Sequence, residues 1–248
     1  MKRIVLFLLT LAMVTLACGE TSSFETPLQT ALPVASPTPK GNRILSIDVN
    51  PARDGDYETA FQAAQSAGIE QVGLFLAWSV LETAPGVYDG TLLDIATAYY
   101  PTKGVKLDLT LAVVNTTRRE LPADLANKSF DDPIVIERFK ELLDFVFSKT
   151  ENIEISSLNI GSEYDILFGS DKEQWRQFQV FYKEIASYVR TKRPDLKIAV
   201  EATFNGITGS ARSQIQALES IQRYYRGILL SAQRKWRCQR AVICPRRF

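Results

Sequence analysis

The sequence predicts an α/β fold built on a parallel sheet, and three observations carry that reading. Short β-prone runs alternate with segments of helical periodicity from Ile44 to Gly209. The runs are apolar along most of their length, as strands buried on both faces of a sheet are. No glycine-rich phosphate loop follows the first run, where Asn50, Pro51, Ala52 and Arg53 stand instead. A dinucleotide-binding sheet is therefore a poor fit. A (β/α)8 TIM-barrel type fits better, and the five recognisable strands make it a barrel truncated after the fifth strand.

Each element has its own signal. Ile44 to Val49 is the first strand. Tyr57 to Ala67 follows with Tyr57, Ala60, Phe61 and Ala64 on one helical face, and Gly68 stops it. Gln71 to Trp78 is the second strand, Leu92 to Tyr100 a helix, and Leu107 to Val114 the third strand. Asp132 caps the next helix, with Pro133 at its first position. That helix is expected to bury Val135, Phe139, Leu142, Leu143 and Val146. Ile155 to Ile160 is the fourth strand. Asp171 caps a helix with Trp175, Phe178, Phe181, Tyr182, Ile185 and Tyr188 on one side, and Lys197 to Phe204 is the fifth strand.

Composition narrows the chemistry. Hydrophobic and charged fractions of 46% and 23% are those of a globular chain. The absence of histidine excludes a Ser-His-Asp or Cys-His nucleophile and any His-ligated metal. Acid–base work falls to Asp, Glu, Lys or Tyr, and no cofactor or metal is expected. The cysteines are Cys18, Cys238 and Cys244, so no disulfide framework holds the region between them.

Residues 1–17 read as an export signal, with Lys2 and Arg3 ahead of an apolar core from Ile4 to Leu16 that is too short for a typical membrane span. Thr15, Leu16, Ala17 and Cys18 resemble a bacterial lipoprotein cleavage box, with Cys18 as the lipidated first mature residue. The expected product is an exported, membrane-anchored lipoprotein, on the cell surface or facing the periplasm. Residues 18–42 are a Ser/Thr/Pro-rich tether with little apolar content to bury. Residues 43–209 are the partial barrel.

Within the barrel the stretch Ile155 to Ile166 (ISSLNIGSEYDI) ends a β-prone run in Gly161, Ser162 and Glu163. A carboxyl group at the carboxyl end of a barrel strand is where such folds keep their chemistry. A shielded one can hold a proton near neutral pH. The alternative is a strand ending in a polar turn. Asp48, Trp78, Asn115 and Asn205 stand at or near the carboxyl ends of strands one, two, three and five and are candidates to line a binding cleft. Trp78 is read equally as a stacking platform or a core indole. Tyr164 and Asp165 are candidates to shape the cleft, Glu82 to fix its own loop, and Glu201 to be a structural or rim carboxylate.

Trp78 to Asp89 (WSVLETAPGVYD) resembles the W-x-x-x-E-x-x-x-G-x-Y-D signature after the second strand of barrel-type glycoside hydrolases, the clan of cellulases, galactanases and barrel β-galactosidases. The fourth-strand stretch resembles the same clan, in which an Asn-Glu pair ends that strand. The resemblance implies that Glu163 is the general acid/base and that Ser162 stands where the clan has a sugar-binding Asn. In the clan the nucleophile ends the seventh strand, a position without a counterpart among the five strands seen here. The implied function is a surface-tethered hydrolase of β-linked poly- or oligosaccharide, with this chain inactive for want of the nucleophile. The alternative is a non-catalytic carbohydrate-binding lipoprotein.

Residues 210–248 differ from the rest. They hold nine Lys or Arg and one acid, a charge of +8 that leaves −7 for the first 209 residues. Three more βα units would need roughly 90 residues, and 39 remain. Five strands alone would leave two unpaired sheet edges. Nucleic-acid binding by the tail is not expected, because no helical or strand framework presents its arginines. The tail instead reads as frameshifted from about Glu219. One base into that codon, permitted codons through Trp236 allow NRYSDIIAVSYYPLNGNG, an apolar β-prone run where a sixth strand is due.

Overall fold

The computed structural model describes residues 44–51, 53, 55–209, 211–221, 228–231 and 240–243. The export signal, Cys18, the tether and most of the basic tail, Cys238 and Cys244 included, lie outside the described residues. In chain order the strands are β1 (Ser46–Ile47), β2 (Gln71–Ala77), β3 (Glu82–Ala84), β4 (Val87–Tyr88), β5 (Lys106–Asn115), β6 (Arg118–Arg119), β7 (Ile155–Ser162), β8 (Lys197–Thr203), β9 (Ile228–Ser231) and β10 (Arg240–Ile243). The helices are α1 (Tyr57–Ser66), α2 (Trp78–Leu81), α3 (Thr91–Tyr99), α4 (Pro133–Lys149), α5 (Tyr164–Phe168), α6 (Lys172–Lys192), α7 (Phe204–Thr208) and α8 (Arg212–Ile221).

β1, β2, β5, β7 and β8 pair side by side, in that order and all parallel, as the curled half-barrel the alternation predicts. Helices between them supply the crossovers that parallel strands need. β1 is shorter than expected and pairs with β2 alone on the ordered path. The tail adds two strands that the sequence reading did not foresee. β9 lies parallel to β8, and β10 antiparallel to β9, with its Cα atoms returning to within 8 Å of β1. The β8 edge is thus paired. The apolar run Ile228, Leu229, Leu230 is too short to stand out among arginines, and sheet pairing supplies what periodicity does not.

The two faces of the sheet differ in chemistry. On β5, Leu107, Leu109, Leu111 and Val113 are fully buried with Leu158 and Ile160 of β7 in the apolar core. Early in the strands the alternate positions are polar, as at Asp108 and Thr110 of β5, with the apolar Ala112 and Val114 beyond them. Asp108 accepts from Ser157 Oγ at 2.5 Å and Asn159 Nδ2 at 2.9 Å, and Asn159 Nδ2 also reaches Thr110 at 3.4 Å. Ser156 donates to Gln71 at 2.6 Å one layer lower. Buried polar groups need such partners, because leaving one unmade costs about 1–3 kcal/mol. Glu201 lies two residues beyond Ala199, the register partner of Asn159, so it belongs to the polar face.

The helices follow their predicted caps. Asp132 accepts from Ile134 N at 2.9 Å, and Asp171 from Glu173 N and Gln174 N at 3.0 and 3.1 Å. Losing either cap would cost about 1 kcal/mol. α4 buries all five residues expected of it. α6 buries Trp175, Phe178, Phe181, Tyr182 and Ile185, with Tyr188 packed partly exposed against the same core. Phe130, Phe139 and Phe168 join them through ring contacts of 5.2–6.0 Å. Each buried Phe contributes about 1.5–3 kcal/mol.

Candidate active site

At the carboxyl end of β7 the chain turns sharply into α5. Gly161 has φ 84, a conformation glycine takes without a Cβ penalty. Glu163 has φ 52 and ψ 37, the left-handed region, which costs a non-glycine residue about 1–2 kcal/mol. Backbone bonds hold it there. Glu163 N donates to Glu201 O at 2.9 Å, and Ile166 N donates to Glu163 O at 3.0 Å. The residue is 8% exposed, and Oε2 accepts from Thr116 Oγ1 at 2.9 Å.

Thr116 was not singled out by sequence reasoning. It follows Asn115 at the end of β5, in the two-residue connection whose flanks, Asn115 and Arg118, pair across β5 and β6. Its φ is 54, and its N donates to Ser162 O at 3.0 Å. Among the described residues, Thr116 and Glu163 are the non-glycine residues with positive φ. A β-branched residue in this region is an outlier. The readable signal was a tight turn, Asn115-Thr116-Thr117-Arg118, without the glycine such turns favour.

Three strands converge on this corner. Asn115 pairs in register with Ser162, and Ser162 with Glu201, so Asn115, Ser162, Glu163 and Glu201 lie together. Ser162 is 3% exposed and Glu201 1%. Glu201 is therefore a buried neighbour of Glu163 and not a rim group. Asn205 stands exposed in α7, just beyond the end of β8.

Two candidate sugar ligands fall elsewhere. Trp78 is 0% exposed, packs edge-on to Phe139 at 5.1 Å and donates from Nε1 to Glu82 at 2.7 Å. It is a core indole with no face for a sugar. Asp48 lies against β2, where a Cβ on Gly73 would meet its Oδ1 at 1.7 Å. Gly73 is in register with Asp108, seven residues before Asn115. At about 3.3 Å per residue that is roughly 23 Å along the strand from the Glu163 corner.

The residues beside Glu163 are also structural. Tyr164 is fully buried, stacked on Phe178 at 5.2 Å and edge-on to Trp175 at 5.4 Å. Asp165 accepts from Thr203 N at 2.9 Å and Thr203 Oγ1 at 2.5 Å, which clamps the end of β8 to the start of α5. Gly206 makes room for it, since a Cβ there would lie 2.3 Å from Oδ2. Neither residue shapes a cleft.

Glu82 is the hub of the loop after β2. Its side chain is 0% exposed. It accepts from Trp78 Nε1, from Gly86 N at 2.8 Å, and from Arg138 through Nε at 3.0 Å and through Nη2. Arg138 reaches on to Asp124. Tyr88 stacks on Phe145 at 4.8 Å, and its phenol is pushed up to about 12, first by burial and then by the charge of Glu82. Asp89 accepts from Thr91 N, the first residue of α3, at 2.9 Å. The fixed residues of the Trp78–Asp89 signature thus have structural duties: Trp78, Glu82 and Tyr88 tie the β2 loop to α4, while Gly86 and Asp89 bond within the loop and to the start of α3.

Among the described residues no cluster of three metal-ligating side chains occurs. A surface groove between α6 and α8, about 260 Å³, is lined by Lys172, Arg176 and Gln214 and does not include Glu163.

The chain resembles solved structures. It aligns with an exo-β-1,4-mannosidase from Opitutaceae bacterium strain TAV5 at 19% identity and TM-score 0.53, over 66% of this chain and 32% of that one. It aligns with the GH53 catalytic domain of Ignisphaera aggregans at 16% identity and TM-score 0.55, over 77% and 55% of the two chains. A GH5_18 protein from Streptomyces cattleya, in complex with Manβ1-4GlcNAc, aligns at 13% identity and TM-score 0.52, over 64% and 45%. The fold is that of the barrel-type glycoside hydrolases. The chain spans about a third to just over half the length of these structures. No protein-family model matches the chain, and no curated protein is significantly similar to it.

Proposed function

We propose that the chain carries the proton-transfer half of a glycoside hydrolase site for β-linked poly- or oligosaccharide, with Glu163 as general acid/base. One observation carries the reading. A shielded carboxyl group is held at the end of the fourth parallel strand in a backbone conformation that only surrounding contacts sustain. Such conformations cluster at functional sites. As general acid, Glu163 would give its proton to the glycosidic oxygen as the bond to the anomeric carbon breaks. As base it would take a proton from water. Glu201, one strand over, is the nearest carboxylate in register and a candidate partner. Asn115, Ser162 and Asn205 are the candidate sugar ligands.

A second reading, a non-catalytic carbohydrate-binding protein, is favoured by Ser162 where the clan has Asn. Attachment through a lipid on Cys18, and a frameshift near Glu219 that removes the seventh-strand nucleophile, belong to the same proposal and rest on sequence. Assaying the full-length product of the locus on β-1,4-mannosides and other β-glycosides separates the readings. Release of reducing sugar that falls by orders of magnitude in Glu163→Gln supports the enzyme. Glycan binding without turnover supports the alternative.

A further inference from the structure

The functional reading leaves Thr116 unexplained. A two-residue hairpin connection with positive φ at its first position is glycine territory, yet this chain places a β-branched residue there. Glu163 is the other non-glycine residue with positive φ among those described. The two are 47 positions apart in sequence, on different strands, and their side chains meet at 2.9 Å. Thr116 N also binds Ser162 O, the carbonyl immediately before Glu163. The threonine therefore grips both the backbone entering Glu163 and the carboxyl group itself. Glycine would suit the turn and would lose the second grip.

We propose that Thr116 is the positioning residue for Glu163, holding its carboxyl group by a hydroxyl hydrogen bond to Oε2. When Glu163 is protonated, Oε2 is already accepting from Thr116, so the proton it delivers sits on Oε1. This rests on the reading of Glu163 as proton donor. The contact itself can be tested without turnover.

The test is carbon-13 NMR of the full chain with glutamate labelled at Cδ, the Glu163 signal being assigned by its loss in Glu163→Gln. Spectra are taken at a pH where glutamate carboxyls are ionised. The Glu163 carboxyl signal is expected to move in Thr116→Val, which keeps the shape and removes the hydroxyl, and to return in Thr116→Ser. Thr116→Gly suits φ 54 and replaces the valine variant if that one fails to fold; it too is expected to move the signal. A signal unmoved by loss of the hydroxyl, or moved and not restored by serine, overturns the proposal. In the active full-length product, Thr116→Val is expected to slow poor leaving groups at least tenfold more than activated ones, with serine restoring the rate. A product with no turnover at all counts against the functional reading, and the NMR result still decides the contact.

Discussion

Replacing Arg138 with methionine removes the cation from a carboxylate that has no exposed side-chain surface. In the native chain Arg138 donates twice to Glu82 and once to Asp124, with its own side chain 13% exposed. The variant leaves Glu82 buried with only the Trp78 and Gly86 donors. Breaking a buried pair from one side costs about 3–5 kcal/mol, because the remaining charge stays desolvated. For a domain of this size each kcal/mol lowers Tm by about 2–4 °C, so Arg138→Met should lower it by roughly 6–20 °C. Removing both charges in Glu82→Gln/Arg138→Met should cost less than Arg138→Met alone, since the glutamine keeps an acceptor for the indole and Gly86. Urea denaturation of the parent, both single variants and the double variant closes the cycle. A loss below about 1 kcal/mol for Arg138→Met, or a double variant as unstable as the sum of the singles, would refute the account of this loop.

Further outcomes follow from other contacts. Gly206→Ala places a Cβ 2.3 Å from Asp165 Oδ2 and should cost about 1–3 kcal/mol in chemical denaturation; a change within about 0.5 kcal/mol contradicts the clamp. Hydrogen bonds from Lys103, Tyr99 and Gln62 hold the Glu58 carboxyl down at about 2, below its ordinary 4.5. Its contribution is present above pH 4.5 and lost as pH falls toward 2, so Tm should drop over that window and drop less in Glu58→Gln; equal pH profiles for the two proteins contradict it. Sequencing the DNA after the Gly209 codon should place a one-base shift near Glu219, and an early stop in the alternative frame rules that origin out.

Much of the fold was legible because local signals and burial agree. Asp132 and Asp171 cap as their sequence context dictates, and the apolar faces of α4 and α6 are the ones buried. The limits of β2, β5, β7 and β8 fall within two residues of the pattern for the same reason, while the short β3, β4 and β6 were not foreseen. The site was legible only in part. Glu163 stands out because a carboxylate ends an apolar run. Glu201 joins it through pairing register and Thr116 through the turn that follows Asn115, which no local pattern encodes. Asp48 was misplaced because position along a strand does not fix which side chain reaches the open end, and Trp78 takes the core alternative of its two readings. The Trp78–Asp89 signature was the strongest resemblance, yet its residues secure a loop, so it reports architecture more than chemistry.

Azide rescue tests the central claim most directly. In the full-length product of the locus, Glu163→Ala should lose turnover of β-glycosides with poor leaving groups and keep much of it for a dinitrophenyl leaving group, which needs no proton. Added azide should then raise the rate on the activated substrate and yield a β-glycosyl azide, since a small anion can enter the space the carboxylate vacates. Turnover of poor leaving groups unchanged by the substitution, with no azide adduct, would contradict Glu163 as the general acid/base.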